Sequence, residues 1–378
     1  MKDALGIIYT SKDDLSLREL TAHRSIAALP VAGRYRIVDF LLSNMVNSGV
    51  RNVGVITQRN YRSLMDHLGA GKEWDLHARN NGLFILPPFI NGEKGGEYSG
   101  ALEALRANFD YLRRSRQELV VFTNGNAVYS TSYEPMLRQH EETGADVTIM
   151  YASDAARDQY LSSYAGNRHA YLNVDGDKRV TDIEINPNAA SYGNMSMDVM
   201  VIKRTLLMHL VDQAYSQGMT DVYGDILRAQ IKTGMLDVRG YEFKGYYRRV
   251  ETVQGYYRLN MDILGKYCRK ALFSDYPVYT KERDEVPAVY GPAANVKNSI
   301  VADGCVINGT VENCILFSGV KIGRGAVVKN SILFQDSYIE DNVELEYVIL
   351  DKVVTIRTGG RLIGQTQYPI VIGKNVTL

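Results

Sequence analysis

The chain carries no surplus charge: 43 Lys and Arg are balanced by 43 Asp and Glu. Composition therefore offers no electrostatic footprint for nucleic acid or an anionic membrane, and neither is expected as a partner. The local basic pair Arg248-Arg249 reads first as solvated surface. Cysteine is scarce. Cys268, Cys305 and Cys314 are odd in number and lack metal-ligand spacing, which argues against a disulfide framework or a zinc site. Reduced, buried thiols of a cytoplasmic protein fit better. No apolar run approaches the ~18 residues of a membrane helix. The N-terminus enters a strand at once, without the apolar segment of a signal peptide.

What is present points to two domains, since 378 residues exceed one ordinary domain and 45% apolar content suffices for buried cores. In the first half, Ala4–Tyr9, Asn52–Thr57, Gly82–Leu86 and Leu119–Thr123 are short apolar runs bounded by turn or polar residues, and read as buried strands. Between them, Leu102, Leu105, Phe109 and Leu112 mark one apolar helix face. Thr131-Ser132-Tyr133-Glu134, followed by Pro135, reads as a capping box opening another helix. This alternation predicts an α/β, Rossmann-like fold with a mostly parallel sheet, helices on both faces, and ligands outside the carboxyl ends of the strands. Attention falls on the segments after Tyr9, Thr57 and Thr123.

Near Glu282–Pro292 the character changes and helical periodicity disappears. A six-residue period follows, in Val320, Ala326, Ile332, Tyr338 and in a second phase Val327, Leu333, Ile339, Leu345. Hexapeptide repetition predicts a parallel β-helix that turns one such residue per repeat into its core. The expected bounds are 1–265 for the α/β domain, 266–292 for a linker and 293–378 for the β-helix. Hexapeptide acyltransferases generally use a histidine base; no histidine lies beyond His209, so the β-helix reads as a scaffold for assembly.

The stretch Ala28-Leu29-Pro30-Val31-Ala32-Gly33-Arg34-Tyr35-Arg36-Ile37-Val38-Asp39-Phe40, continuing through Ser43-Asn44 and Asn47-Ser48-Gly49, resembles the ADP-glucose pyrophosphorylase family. Thr57-Gln58, Gly69–Leu76, Leu86-Pro87-Pro88 and Glu97-Tyr98-Ser99-Gly100 with Asn108 extend the resemblance, and the hexapeptide region sits where that family places a left-handed β-helix. The resemblance implies a nucleotidyltransferase fold and an activity joining ATP to glucose 1-phosphate with a divalent metal, magnesium in catalytic relatives. That chemistry needs a phosphate cradle, a dication and positioning cations.

Against this pattern the chemistry is degenerate. The family's G-G-x-G-T-R-L phosphate loop is replaced by Thr10–Leu17, with no glycine and with Ser11, Asp13 and Asp14 beside the expected phosphates. Like charges ~4 Å apart cost about 1 kcal/mol in water and about 4 kcal/mol at an effective dielectric near ~20. Ile26 stands at a lysine position, Asn126 at one metal-binding aspartate and Arg249 at the other. Magnesium prefers carboxylates and phosphates, and a guanidinium repels it. Gln58, Gly100, Glu103, Glu184 and Asp198 mark vestigial substrate positions, with Glu103 lengthening an aspartate and Asp198 replacing a glycine. Arg34, which matches an activator-binding lysine of the family, forms a candidate anion site with Arg36 and Arg51.

The resemblance therefore implies the non-catalytic, GlgD-type subunit: no catalytic residue and no metal or other cofactor in this chain. Its partner would be a catalytic ADP-glucose pyrophosphorylase subunit, in a heterotetramer or with self-association, under control of a sugar-phosphate effector. Two alternatives stay open: a weakly active or altered-substrate nucleotidyltransferase, and a sugar-phosphate-binding sensor.

Overall fold

A computed structural model describes residues 3–10, 15–78, 81–88, 98–153, 169–219, 221–282 and 284–378. The first domain is built on a nine-stranded sheet. Its central strand, Ala4–Tyr9, is buried throughout and pairs in parallel with Asn52–Ile56 on one side and Leu119–Asn124 on the other. Leu83–Leu86 extends the parallel half. Strand residues alternate between two cores, as a pleat requires: Leu5, Ile7 and Tyr9 belong to one, Ala4 and Ile8 to the other.

The expected strands therefore form within a residue or so of their predicted ends. The other half of the sheet is not parallel. Asn194–Lys203 runs antiparallel to Leu119–Asn124, Val147–Ala152 and Ala170–Val174, while Val238–Glu242 pairs in parallel with Val147–Ala152. Helix boundaries also differ in detail. Leu102, Leu105, Phe109 and Leu112 are all buried, but Asn108 divides them between helices Ala101–Ala107 and Phe109–Arg114. The expected capping box does not form. Helix Glu134–Thr143 has Tyr133 at its N-cap, and the hydroxyl of Ser132 accepts from the Glu134 N–H.

Two helices, Val253–Leu264 and Lys266–Phe273, follow the sheet; the second lies within the expected linker. From Val289 onward, three five-stranded parallel sheets stack coil upon coil, which is the β-helix. Its inward row is Leu316, Ile322, Val328, Leu333, Ile339, Leu345, Leu350 and Ile356, all buried in one core. The spacing is six with regular slips to five. For this reason Tyr338 and Val327, expected inside by a strict period, are not buried: Tyr338 is 44% exposed and Val327 lies at intermediate depth.

The two domains share a core. Leu17, Leu20, Ile26 and Leu29 pack with Tyr256, Phe317, Phe334 and Ile349. Arg24 makes a bidentate ion pair with Asp351 of the β-helix at 2.9 and 2.8 Å, with both side chains buried. Gly33, at φ +80, lets the chain turn against the β-helix, where an added Cβ would lie 2.9 Å from Ile300 Cγ2. The three cysteines are free and buried, and among the described residues no helix is long and apolar enough to cross a membrane.

Candidate functional site

The parallel strands deliver Tyr9, Ile56 and Asn124 to one edge, and the chain continues there as Thr10, Thr57-Gln58 and Gly125-Asn126. Gly125 N–H donates to the Tyr9 carbonyl at 2.8 Å, and an added Cβ would meet that oxygen at 3.1 Å. A side chain at this turn would press on the backbone of Tyr9 and Thr10. Immediately after it, Ala127–Val128 pairs antiparallel with Arg248–Arg249, and Val250 N–H donates to the Asn126 carbonyl at 2.7 Å. The fold thus brings Asn126 and Arg249, the two positions expected to bear metal-binding aspartates, side by side.

The two side chains are held differently. Asn126 is buried, and its Oδ1 has no protein partner. Arg249 is also buried, contrary to the expectation of a solvated basic pair, and the reason is its carboxylates. Its Nη2 lies 3.0 Å from Asp198 Oδ2 and its Nη1 3.7 Å from Glu251 Oε1. Nε donates to the Tyr247 hydroxyl at 3.1 Å and Nη2 to the Ser196 carbonyl at 2.8 Å. Arg248 is held by Asp262 at 2.9 Å. Burial acts to lower the Arg249 pKa, but Asp198, Tyr247 and Glu251 outweigh it and hold the guanidinium firmly charged. Burial pushes the Asp198 carboxyl upward, opposed by Arg249 and then His169. His169 Nε2 lies 2.7 Å from Glu251 Oε2 and closes the network.

Asp198 sits where the register of its strand shifts, between Ser196 and Val199, with φ at +56. That left-handed geometry suits a glycine, and an aspartate holds it with its N–H on the Ser196 hydroxyl. The sequence shows Asp198 and Arg249 as separate departures from the family's pattern; the structure joins them as one ion pair, the carboxylate at position 198 satisfying the cation at position 249. The missed signal was their opposite charge. Nothing in local spacing links residues so far apart, or brings His169 to Glu251.

The remaining candidates fall into three groups. Gln58 is fixed at both ends, donating to the Tyr9 hydroxyl and accepting from Tyr98 N–H, each at 3.1 Å; burial pushes the Tyr9 phenol up to about 12. Gly100 precedes helix Ala101–Ala107, and Glu103 accepts from the Ser99 N–H and hydroxyl. Glu184 accepts from Ser191 N–H at 2.8 Å. These line the strand-end side of the domain. Ile26 instead fills the core between domains.

Arg34, Arg36 and Arg51 are not brought together as a trio. Arg36 donates to Ser63 at the start of helix Ile37–Asn47, whereas Arg51 lies beyond that helix's far end, 3.8 Å from Asp75. Eleven helical residues span about 16 Å. Arg34 is half exposed, 3.8 Å from Glu282. Ser11, Asp13 and Asp14, and the anchor Glu97, lie outside the described residues.

The motif anchors have structural work. Asp39 accepts from Arg36 N–H, Thr280 hydroxyl and His67. Asn44 bonds both to the Tyr129 carbonyl and to Thr131 N–H, fixing the segment that carries Asn126.

Residues 16–266 match the nucleotidyl transferase family model, and residues 286–367 match the GlmU-like, C-terminal hexapeptide model. A glycogen biosynthesis protein GlgD of Bacillus subtilis is 34% identical over 98% of this chain and 96% of its own length. A GlgD of Geobacillus stearothermophilus is 36% identical over 86% and 82%. A glucose-1-phosphate adenylyltransferase of Acetivibrio thermocellus is 31% identical over 96% and 84%. The chain belongs to the glucose-1-phosphate adenylyltransferase family of nucleotidyl transferases. Its second domain is accordingly the left-handed β-helix of that architecture. Within this family the donor set at Asn126, Asp198, Arg249 and Glu251 does not fit a resident dication. A charged guanidinium fills the space between the carboxylates, and the neutral amide adds no charge.

Proposed function

We propose that this chain is a catalytically degenerate, modulatory subunit that assembles with a catalytic glucose-1-phosphate adenylyltransferase and tunes ADP-glucose synthesis for glycogen. The observation that carries this reading is Arg249, buried and paired with Asp198 and Glu251 beside Asn126, where the resemblance would call for metal-binding aspartates. Phosphoryl transfer rests on charge stabilisation and positioning, and a site whose cation is a tethered arginine offers no open coordination position to a nucleotide. Relatives bearing either name align over most of the chain, which supports a glycogen-related role within this family. Modulation would act through interface contacts that favour one state of the partner.

The test mixes proteins. The chain alone, given ATP, magnesium and glucose 1-phosphate, should release essentially no pyrophosphate; added to a catalytic homologue, it should alter rate or effector response. Appreciable turnover by the chain alone would sink the proposal. Asn126 favours one second reading. Its buried, unpartnered Oδ1 suits a cleft that binds a small ligand without turnover, as a sensor would. Ligand binding that leaves a partner's kinetics unchanged would select it.

A further inference from the structure

A groove of about 460 Å³ lies between helix Val253–Leu264 and one corner of the β-helix, apart from the Asn126–Arg249 cleft. Its β-helix wall is a ladder of Asn298, Asn313, Asn330 and Tyr347, at matching positions of successive coils. Each rung has positive φ, from +42 to +52. Asparagine tolerates the left-handed region, so three of the rungs suit their backbone; a tyrosine there is strained. Val353 makes a similar departure at another corner. Tyr347 differs in lining a cavity, half-buried, with its ring 6.4 Å from that of Tyr257.

The chemistry of the walls is neutral and rich in hydrogen-bonding groups. Asn298 Nδ2 donates to Asn313 Oδ1, Asn313 Nδ2 to Asn330 Oδ1, and Asn330 Nδ2 to Glu346. An amide nitrogen has two hydrogens, so one side-chain N–H of each of the three asparagines remains for a ligand. Gln254 and Thr366 add polar groups, and Met261 and Leu264 an apolar strip. The cation at the groove, Arg258, is engaged by Asp262 at 2.8 Å. Rungs of stacked parallel strands recur every ~4.8 Å, a regular array suited to successive hydroxyl-bearing rings.

We propose that this groove binds a short neutral oligosaccharide, with ring faces against Tyr347 and hydroxyls on the asparagine ladder. The site stands independently of the modulatory role; only the choice of an α-linked glucose oligomer as first probe rests on that reading. The full-length chain is titrated calorimetrically with maltotriose, with cellotriose and glucose 1-phosphate alongside, and no partner or turnover enters the readout. A dissociation constant on the order of 1 mM is expected for one of the neutral trisaccharides. Tyr347→Asn places at the corner a residue that suits its left-handed backbone, so the melting temperature should hold or rise while affinity falls on the order of tenfold. Gln254→Ala, on the helix wall, should also weaken binding without loss of stability. The inference is overturned if neither trisaccharide binds, if both variants bind as well as the parent, or if glucose 1-phosphate binds more tightly than either. It is likewise overturned if Tyr347→Asn lowers the melting temperature while Gln254→Ala changes nothing, since Tyr347 would then serve packing alone.

Discussion

The β-helix and the strand-end cleft solve opposite problems. Along the β-helix the same answer repeats: Ile322, Val328, Leu333, Ile339 and Leu345 enter one dry core, each supported by equivalent residues above and below. In the cleft nothing repeats. A guanidinium, two carboxylates, an imidazole and a phenol from three separate segments meet once. Apolar burial is additive and tolerant of substitution by similar shapes. A buried ionic cluster depends on every member, because removing one leaves uncompensated charge. The comparison teaches where such a chain is fragile: the charged cluster stands or falls as a unit, while the packing rows are perturbed one position at a time.

The sharpest way to break the comparison is Arg249→Met. It leaves Asp198 and Glu251 buried without their cation and should destabilise the protein by about 3–5 kcal/mol, read by denaturant unfolding. Asp198→Asn in the same chain should recover part of that loss, giving a coupling energy well away from zero. Additive single and double variants would show the two residues to be unrelated neighbours. The β-helix should respond next most strongly. Leu345→Ala removes a fully buried side chain and should cost about 2–5 kcal/mol. Tyr338→Ala, on the outward face of the same repeat, should stay within about 0.5 kcal/mol. Similar losses at both would mean the six-residue period does not sort inside from outside.

How much of this was legible follows from the same contrast. Apolar runs such as Ala4–Tyr9 and Leu119–Thr123 announced their strands because burial on both faces leaves little room for polar residues. The hexapeptide period announced the β-helix, but a strict count misplaced Tyr338 and Val327 because some intervals between inward residues contain five positions rather than six. Asn126 and Arg249 were legible as departures from a motif. Their proximity required the pairing of Ala127–Val128 with Arg248–Arg249, and the ion pair with Asp198 required a register shift in a distant strand. Charge partners are chosen by topology, and topology is not written in local spacing. The arginines show the converse. Arg34, Arg36 and Arg51 read as one anion site because Arg34 matches an activator-binding lysine of the family, yet helix Ile37–Asn47 carries Arg51 away from the other two.

A smaller effect tests whether local hydrogen bonds near the cleft behave like the ionic cluster or like ordinary caps. Ser132→Ala removes the hydroxyl that accepts from Glu134 N–H at the start of helix Glu134–Thr143. A loss of about 0.5–2 kcal/mol is expected, the range for helix N-terminal caps. No change would place that helix's start under the control of Pro135 and tertiary packing alone.

The least perturbing probe is pH. His67 is buried against Asp39, and burial lowers its pKa below the ordinary 6.5, against the opposing pull of the Asp39 hydrogen bond. The folded state thus prefers a neutral ring that donates from Nε2, while the unfolded chain takes up a proton near pH 6.5. In the window from pH 6.5 down to the lowered folded value, the unfolded state binds more protons, so stability must fall as pH falls. His67→Asn retains a donor and no longer titrates. The difference in unfolding free energy between parent and variant should therefore shrink steadily on acidification below pH 6.5 and stay flat above it, as measured by denaturant midpoints across pH. A difference that instead grew on acidification would mean a charged His67 holding Asp39. The motif anchor would then be an ion pair like those of the cleft rather than a hydrogen bond from a neutral ring.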